Sequence, residues 1–198
     1  MDLMKLIKTR RSIRKYQDKQ IPREDLEKVI TAGLHAPNAG GRQGSIIIGV
    51  HDSKLTEQIG KLNIAKFDRS ALLGGYVSDE QPSIIDDPNI KSGFYGAPSV
   101  CVVFGAENFL YSVPDAFCCA ENMVLMAHSI GIASCIIARG EETFDNFDGK
   151  KFLTQWQIPE DYIARCFVLL GYLDGAEPSP KKLHDGRYKI IEDYTKHA

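Results

Sequence analysis

Residues 115–137 read D-A-F-C-C-A-E-N-M-V-L-M-A-H-S-I-G-I-A-S-C-I-I, and the fold class turns on them. Asp115 suits a helix cap and Gly131 a left-handed stop. The span between them, about 115–130, is apolar on nearly every side, which predicts a central, fully buried helix. The run I-A-S-C-I-I-A that follows is strand-like. S-I-I-I-G-V at 45–50, A-P-S-V-C-V-V-F-G at 97–105 and A-R-C-F-V-L-L-G-Y at 164–172 read as three further buried strands. A short amphipathic helix is expected over 2–9, and a second over about 22–35 behind Pro22. A third, about 53–61, starts at a Ser53 cap. Four β-runs among helices, with the long buried helix between the second and third, predict an α+β sandwich.

Working outward, 198 residues fit a single domain spanning 1–198, and 43% apolar with 25% charged residues suits a globular chain. A formal charge of −2 gives no long-range pull on nucleic acid or an anionic membrane, so any anion site must be a local cluster. No apolar run is long enough to cross a bilayer and no signal-peptide pattern opens the chain, so a cytoplasmic protein is expected. Cys101, Cys118, Cys119, Cys135 and Cys166 have no CxxC spacing and lie in apolar stretches, as core cysteines of a reducing compartment do. The five histidines are dispersed without metal-ligand spacing, and no metal site is expected. His128 reads as a core histidine, with Glu121 on the same helix face. No GxGxxG or GxxxxGK[ST] follows a strand. Residues 68–96 lack periodicity and read as a lid, a binding loop or cryptic helices. The tail beyond Gly175 carries Lys181 and Lys182, then a strand-like R-Y-K-I-I at 187–191.

The segment T-R-R-S-I-R-K-Y, 9–16, carries the most specific chemistry. In an extended chain Arg10, Ser12 and Arg14 share a face opposite Ile13, and two guanidiniums with a hydroxyl form a phosphate clamp. A solvated basic turn is the competing reading.

R-R-S-I-R-K-Y after a short helix closely resembles the opening of FMN-dependent nitroreductases, whose matching arginines and serine hold the flavin phosphate. Four further segments, in order and at similar spacing, carry the resemblance across nearly the whole chain. H-A-P-N-A-G-G-R-Q-G is similar to a loop that lies against the flavin of the other subunit. N-I-A-K, 63–66, resembles an Asn-x-x-Lys pair that reaches the pyrimidine side of the ring. The 115–137 stretch is similar to a dimer-core helix and its strand, and G-Y-L-D-G to a closing segment.

The resemblance implies a nitroreductase-like α+β fold, a central mixed sheet flanked by helices, and an intertwined homodimer in which the tail, about 175–198, packs on the partner subunit. It implies FMN as cofactor and NAD(P)H as reductant. The implied cofactor-binding residues are Arg10, Arg11, Ser12, Arg14, Pro37, Asn38, Ala39, Gln43, Asn63, Lys66, Ile137, Ala138, Arg139, Gly140, Lys181 and Lys182. Ile137 to Gly140 would act through backbone N–H groups. Lys66 would stabilise the negative charge of the reduced ring; an exposed helix lysine is its plain alternative. No side-chain acid or base is assigned. The implied activity is NAD(P)H-driven reduction of a small oxidant (a nitroaromatic, quinone or enone) by ping-pong hydride transfer. Gly41 and Gly44-Ser45 depart from the family loop, where Asn and Pro-Trp are common, and they motivate the alternative of a flavin sensor or carrier without general turnover.

Overall fold

The computed structural model describes residues 2–65, 67–68, 75–179 and 181–192. Helix α1 (Leu3–Thr9) starts at Asp2, whose carboxylate accepts from the Met4 N–H at 3.1 Å. Helix α2 (Arg23–Leu34) follows Pro22 with Glu24 and Asp25 in its first turn, where acidic groups complement the helix dipole. Strand β1 (Ile46–Val50) leads to α3 (Ser53–Ala65), longer than the sequence pattern indicates. Its capping group is Asp52 rather than Ser53, since Asp52 Oδ1 accepts from the Leu55 N–H at 2.8 Å. Then come β2 (Ser99–Ala106), α4 (Ser112–Ser129), β3 (Ala133–Ile137), α5 (Phe147–Gln155) and β4 (Tyr162–Gly171). Between Gly75 and Gly96 the described chain forms turns and bends.

The strands order β1-β2-β4-β3 with every neighbouring pair antiparallel. The parallel component comes from an isolated bridge, Ser12 to Ser134, on the outer edge of β3. Period-two alternation divides β2 and β4 between two cores. Cys101, Val103, Cys166, Val168 and Leu170 pack with Val29, Met123 and Ala127 of α2 and α4. Val100, Val102, Phe104, Phe167 and Leu169 pack with Ile59, Phe94, Phe144 and Trp156 on the other face. Gly33 lets α2 cross α4 closely, because a Cβ there would meet Met123 at 2.8 Å.

Three expectations are corrected. First, α4 begins a turn before Asp115 and is buried on one stripe (Ser112, Asp115/Ala116, Cys119/Ala120, Met123/Val124, Ala127), while Leu125 and Met126 are half-buried and Glu121 exposed. One sheet face within one subunit covers one side of a helix. Second, β1 is an edge strand, mostly half-buried with Gly49 exposed, since it has a neighbour on one side alone. Third, residues 187–191 form no strand, and Tyr188, Ile190 and Ile191 lie exposed. Arg165, which the sequence reading passed over, is buried and ties three elements together. It donates to Ser112 Oγ (2.8 Å), to the carbonyls of Ala106 (2.8 Å) and Glu107 (2.7 Å), and to Glu141 (2.5 Å).

Phe167, fully buried, sets its ring tilted at 4.9 Å from that of Phe94 and 6.2 Å from that of Phe144. Phe167→Ala is expected to destabilise the fold by roughly 3–5 kcal/mol through lost burial and a cavity. Urea unfolding followed by circular dichroism measures this; an unchanged midpoint would place the ring outside the core.

Candidate functional site

The basic segment is positioned by the end of α1 and the edge of β3. After Arg10 the chain straightens, the Ile13 N–H donates to Ser134 O at 2.9 Å, and the Ile13 side chain is buried. Gln17 N–H then donates to Tyr172 O at 2.9 Å, and Asp174 N–H to Lys15 O at 3.0 Å. A cavity of about 280 Å³ opens where α1, the end of α4, the start of β3 and the tail meet, lined by Arg10, Arg11, His128, Ser134, Glu177 and Pro178 among others. Arg11 joins Arg10 on this cavity, a pairing that strict alternation does not give. Arg11 also donates to the Ser179 carbonyl, drawing the tail over the cavity.

Ser12 and Arg14 turn toward Cys135 on β3. Burial pushes the Cys135 thiol up, opposed by the Arg14 charge, the Ser12 hydroxyl and Arg10. Arg14 is fixed from the aperiodic segment. Its N–H donates to Gln81 Oε1 at 2.6 Å and its guanidinium to Gln81 O at 3.3 Å. Tyr16 donates to Ile13 O at 2.7 Å, and burial raises its phenol. Tyr95, whose phenol is also raised by burial, feels the charges of both Arg14 and Arg139 and so links the basic segment to the far end of β3.

There, Asn63 on the last turn of α3 is buried among polar partners. Its amide donates to Arg139 O at 2.6 Å and Thr143 Oγ1 at 3.0 Å, and its oxygen accepts from the Arg139 guanidinium at 3.0 Å. The Arg139 guanidinium also lies 3.6 Å from the Phe67 ring centre. In this structure Asn63 thus braces the 137–143 segment, and the Arg139 side chain is engaged within the subunit rather than reaching outward. Gly140 is buried against the β4 backbone, where a Cβ would meet Ala164 O at 2.7 Å. Ile137 is half-buried and Ala138 exposed. Lys66 lies outside the described residues.

The 37–43 loop sits at the other end of the sheet from the Arg10 cavity, beside β1 and the end of β2. Ala39 N–H donates to Asp115 Oδ1 at 3.0 Å, and Gln43 N–H to Asn38 Oδ1 at 2.8 Å. The second bond holds Gln43 at φ 50°, a left-handed backbone that a side chain disfavours. Pro37 and Gln43 are exposed. Arg42 rests 4.9 Å above the Phe109 ring beside a cavity of about 270 Å³ lined also by Ser45 and Tyr162. Lys181 and Lys182 are exposed on the tail. His128 bonds Thr9 of its own chain at 2.9 Å, and Glu121 is exposed on α4. Gln81, Glu80 and Glu177 were not singled out from sequence, since they lie in segments without periodicity or motif.

A family model, described as the nitroreductase family, matches residues 7–172. A nitroreductase with bound FMN from Bacteroides fragilis is 30% identical and superposes with a TM-score of 0.80 over 97% of this chain and 100% of that one. A nitroreductase with bound FMN from Desulfitobacterium hafniense, 23% identical over 97% and 100% of the two chains with a TM-score of 0.76, shares the fold. A protein of Methanothermobacter thermautotrophicus named "Putative NADH dehydrogenase/NAD(P)H nitroreductase" is 28% identical over 93% of this chain and 84% of its own.

The tail is clasped over the cavity by Glu80, which accepts from Ser179 N–H at 3.0 Å and Ser179 Oγ at 2.5 Å. Those bonds hold the Glu80 carboxyl below its ordinary value, with Arg11 assisting. A depressed folded-state value means the clasp is in place above the ordinary carboxylate range and is lost as pH falls through the folded one. Ser179 amide exchange, corrected for the intrinsic rate, should therefore accelerate on acidification in the wild type. Glu80→Gln should exchange fast throughout; slow, pH-independent exchange in both would show that the clasp does not form.

Proposed function

The chain belongs to the nitroreductase family, and from that premise we propose that it is a homodimeric FMN-dependent oxidoreductase that takes electrons from NAD(P)H and gives them to nitroaromatic, quinone or enone acceptors. The observation that carries this reading is the basic cavity at the end of α1: two guanidiniums line one cavity, with Ser12 and Arg14 beyond it beside β3. In a chain of net charge −2, such a cluster is a local anion site.

The donor set fits a flavin mononucleotide. Arg10, Arg11, Ser12 and the exposed Lys181 and Lys182 supply charge-assisted donors for a phosphate. Arg14, locked by Gln81, gives a cation of fixed position beyond them for the polar edge of the ring. When bound, FMN supplies a ring that accepts a hydride from NAD(P)H and releases the electrons to an oxidant in a second step. The 137–140 segment, braced by Asn63, holds backbone in place for the ring edge. Among the side chains here, none is assigned as an acid or base; Lys66 is assigned to stabilise negative charge on the reduced ring.

A second copy completes the site. The 37–43 loop lies at the opposite end of the sheet from the Arg10 cavity of its own chain, and on this reading it serves the partner's. An apolar groove of about 740 Å³ between α1, α2 and α4, lined by Leu3, Leu6, Ala32, Leu125 and Met126, marks surface that a monomer leaves to water. The tail, with Tyr188, Ile190 and Ile191 exposed, packs on the partner subunit. No helix of the described residues is long and apolar enough to cross a membrane, and the five free thiols suit a cytoplasmic location.

Purified protein should bind FMN, turn yellow and bleach with NADH or NADPH, and a nitroaromatic or quinone should restore the colour. Parallel initial-rate lines are expected for one slot used in turn; intersecting lines with a detectable ternary complex would refute that order. Yellow protein that never bleaches would favour a flavin carrier. Arg10→Ala with Arg14→Ala should weaken FMN binding by roughly 1.5–3 kcal/mol per guanidinium, each roughly ten- to a hundred-fold; unchanged affinity removes both the phosphate role of Arg10 and the ring-edge role of Arg14. Sedimentation should give a dimer at micromolar concentration, and a stable flavin-loaded monomer would overturn the shared site.

A further inference from the structure

His128 lies in the last turn of α4 and lines the same cavity as Arg10 and Arg11. The Thr9 hydroxyl lies 2.9 Å from Lys5 O and 2.9 Å from His128 Nε2, so a proton given to Lys5 O leaves its oxygen to accept from Nε2–H. That bond survives in either charge state of the ring and fixes the neutral tautomer, leaving Nδ1 as the position that gains or loses a proton. The charged groups that line this cavity among the described residues are Arg10 and Arg11 from the segment after α1 and Glu177 from the tail, the last exposed at the rim. Burial lowers the His128 proton affinity, Arg10 lowers it further, and Glu177 opposes both. With the cavity holding no anion, the imidazole is therefore the group of this basic set that gives up its proton most readily. A phosphate beside it reverses the balance, since opposite charge at close range favours the protonated ring. The carbonyl end of α4 acts in the same direction.

We propose that His128 is a third, proton-dependent cation of the phosphate subsite, so that phosphate entry is coupled to uptake of one proton from solvent at Nδ1. The inference rests on the flavin reading above and adds to it a binding residue and a pH dependence of loading. Loading is favoured as pH falls toward the histidine range and weakens above it, whereas the contribution of Arg10 and Arg11 stays constant.

Flavin fluorescence gives the affinities of wild type and His128→Gln for FMN and for riboflavin, which lacks the phosphate, between about pH 6 and pH 8. Gln keeps a donor toward Thr9 and has no proton to gain. The FMN Kd ratio of variant to wild type should be near one at the alkaline end and grow several-fold toward the acid end, below the ceiling of about tenfold per pH unit for one proton. Free FMN titrates in the same region, equally for both proteins, so the ratio removes that contribution and leaves the coupling between His128 and the bound phosphate. The riboflavin ratio should stay flat. In the wild type alone, the NMR titration midpoint of the His128 ring proton should rise when FMN or inorganic phosphate is added, which needs no variant to fold. FMN binding with a pH-independent ratio and an unmoved midpoint would overturn the His128 assignment and leave the flavin reading intact. A wild type that takes up neither flavin would overturn both.

Discussion

The antiparallel pairing of β2 with β4 places two strands, apolar on both sides, at the centre of the sheet, and each of their side chains must find cover on one face or the other. Alternate residues send Cys101, Val103, Val168 and Leu170 toward α2 and α4, and Val102, Phe104, Phe167 and Leu169 toward the aromatic layer of Phe94, Phe144 and Trp156. A register slip of one residue would exchange the two sets. Everything that positions the candidate site hangs from this pair, because β3 docks on β4 and the basic segment docks on β3.

The edge of β3 is where structure turns into chemistry. Its outer backbone accepts from Ile13, so the segment carrying Arg10, Arg11, Ser12 and Arg14 is held like a partial fifth strand, with its apolar member inward and Arg10 and Arg11 on the cavity. Gln81 fixes Arg14 and Glu80 fixes the tail, so the aperiodic segment serves as a clamp on the site. Asn63 braces the opposite end of β3 in the same manner. These polar bonds cross the sequence over long separations, and their contribution lies in fixing positions rather than in overall stability.

Electrostatically the site is an exception within a nearly neutral chain. Arginines cluster at one edge while the buried thiols are pushed the other way, Cys166 up to about 12 by burial. Cysteines in such surroundings are packing groups, inert toward the chemistry at the surface. The surface left to water in a single chain is apolar where α1, α2 and α4 meet and along the tail, which complements the proposed second copy.

The sequence by itself determined the elements and the basic motif. Four β-runs, the long apolar helix and T-R-R-S-I-R-K-Y are local patterns, set by side-chain period and by residues adjacent in the chain. The buried cysteines Cys101, Cys119, Cys135 and Cys166 were legible for the same reason, whereas Cys118 is half-buried. Tertiary structure alone decided what depends on distant neighbours. It made β1 an edge strand, left one flank of α4 partly uncovered, passed the cap of α3 to Asp52, and spent the Asn63 amide on Arg139 and Thr143. It also brought His128, 119 residues from Thr9, to the mouth of the basic cavity. A hydrophobic period says which face of an element seeks cover; which partner arrives there, and which polar groups it brings, is fixed when the sheet closes around β2 and β4.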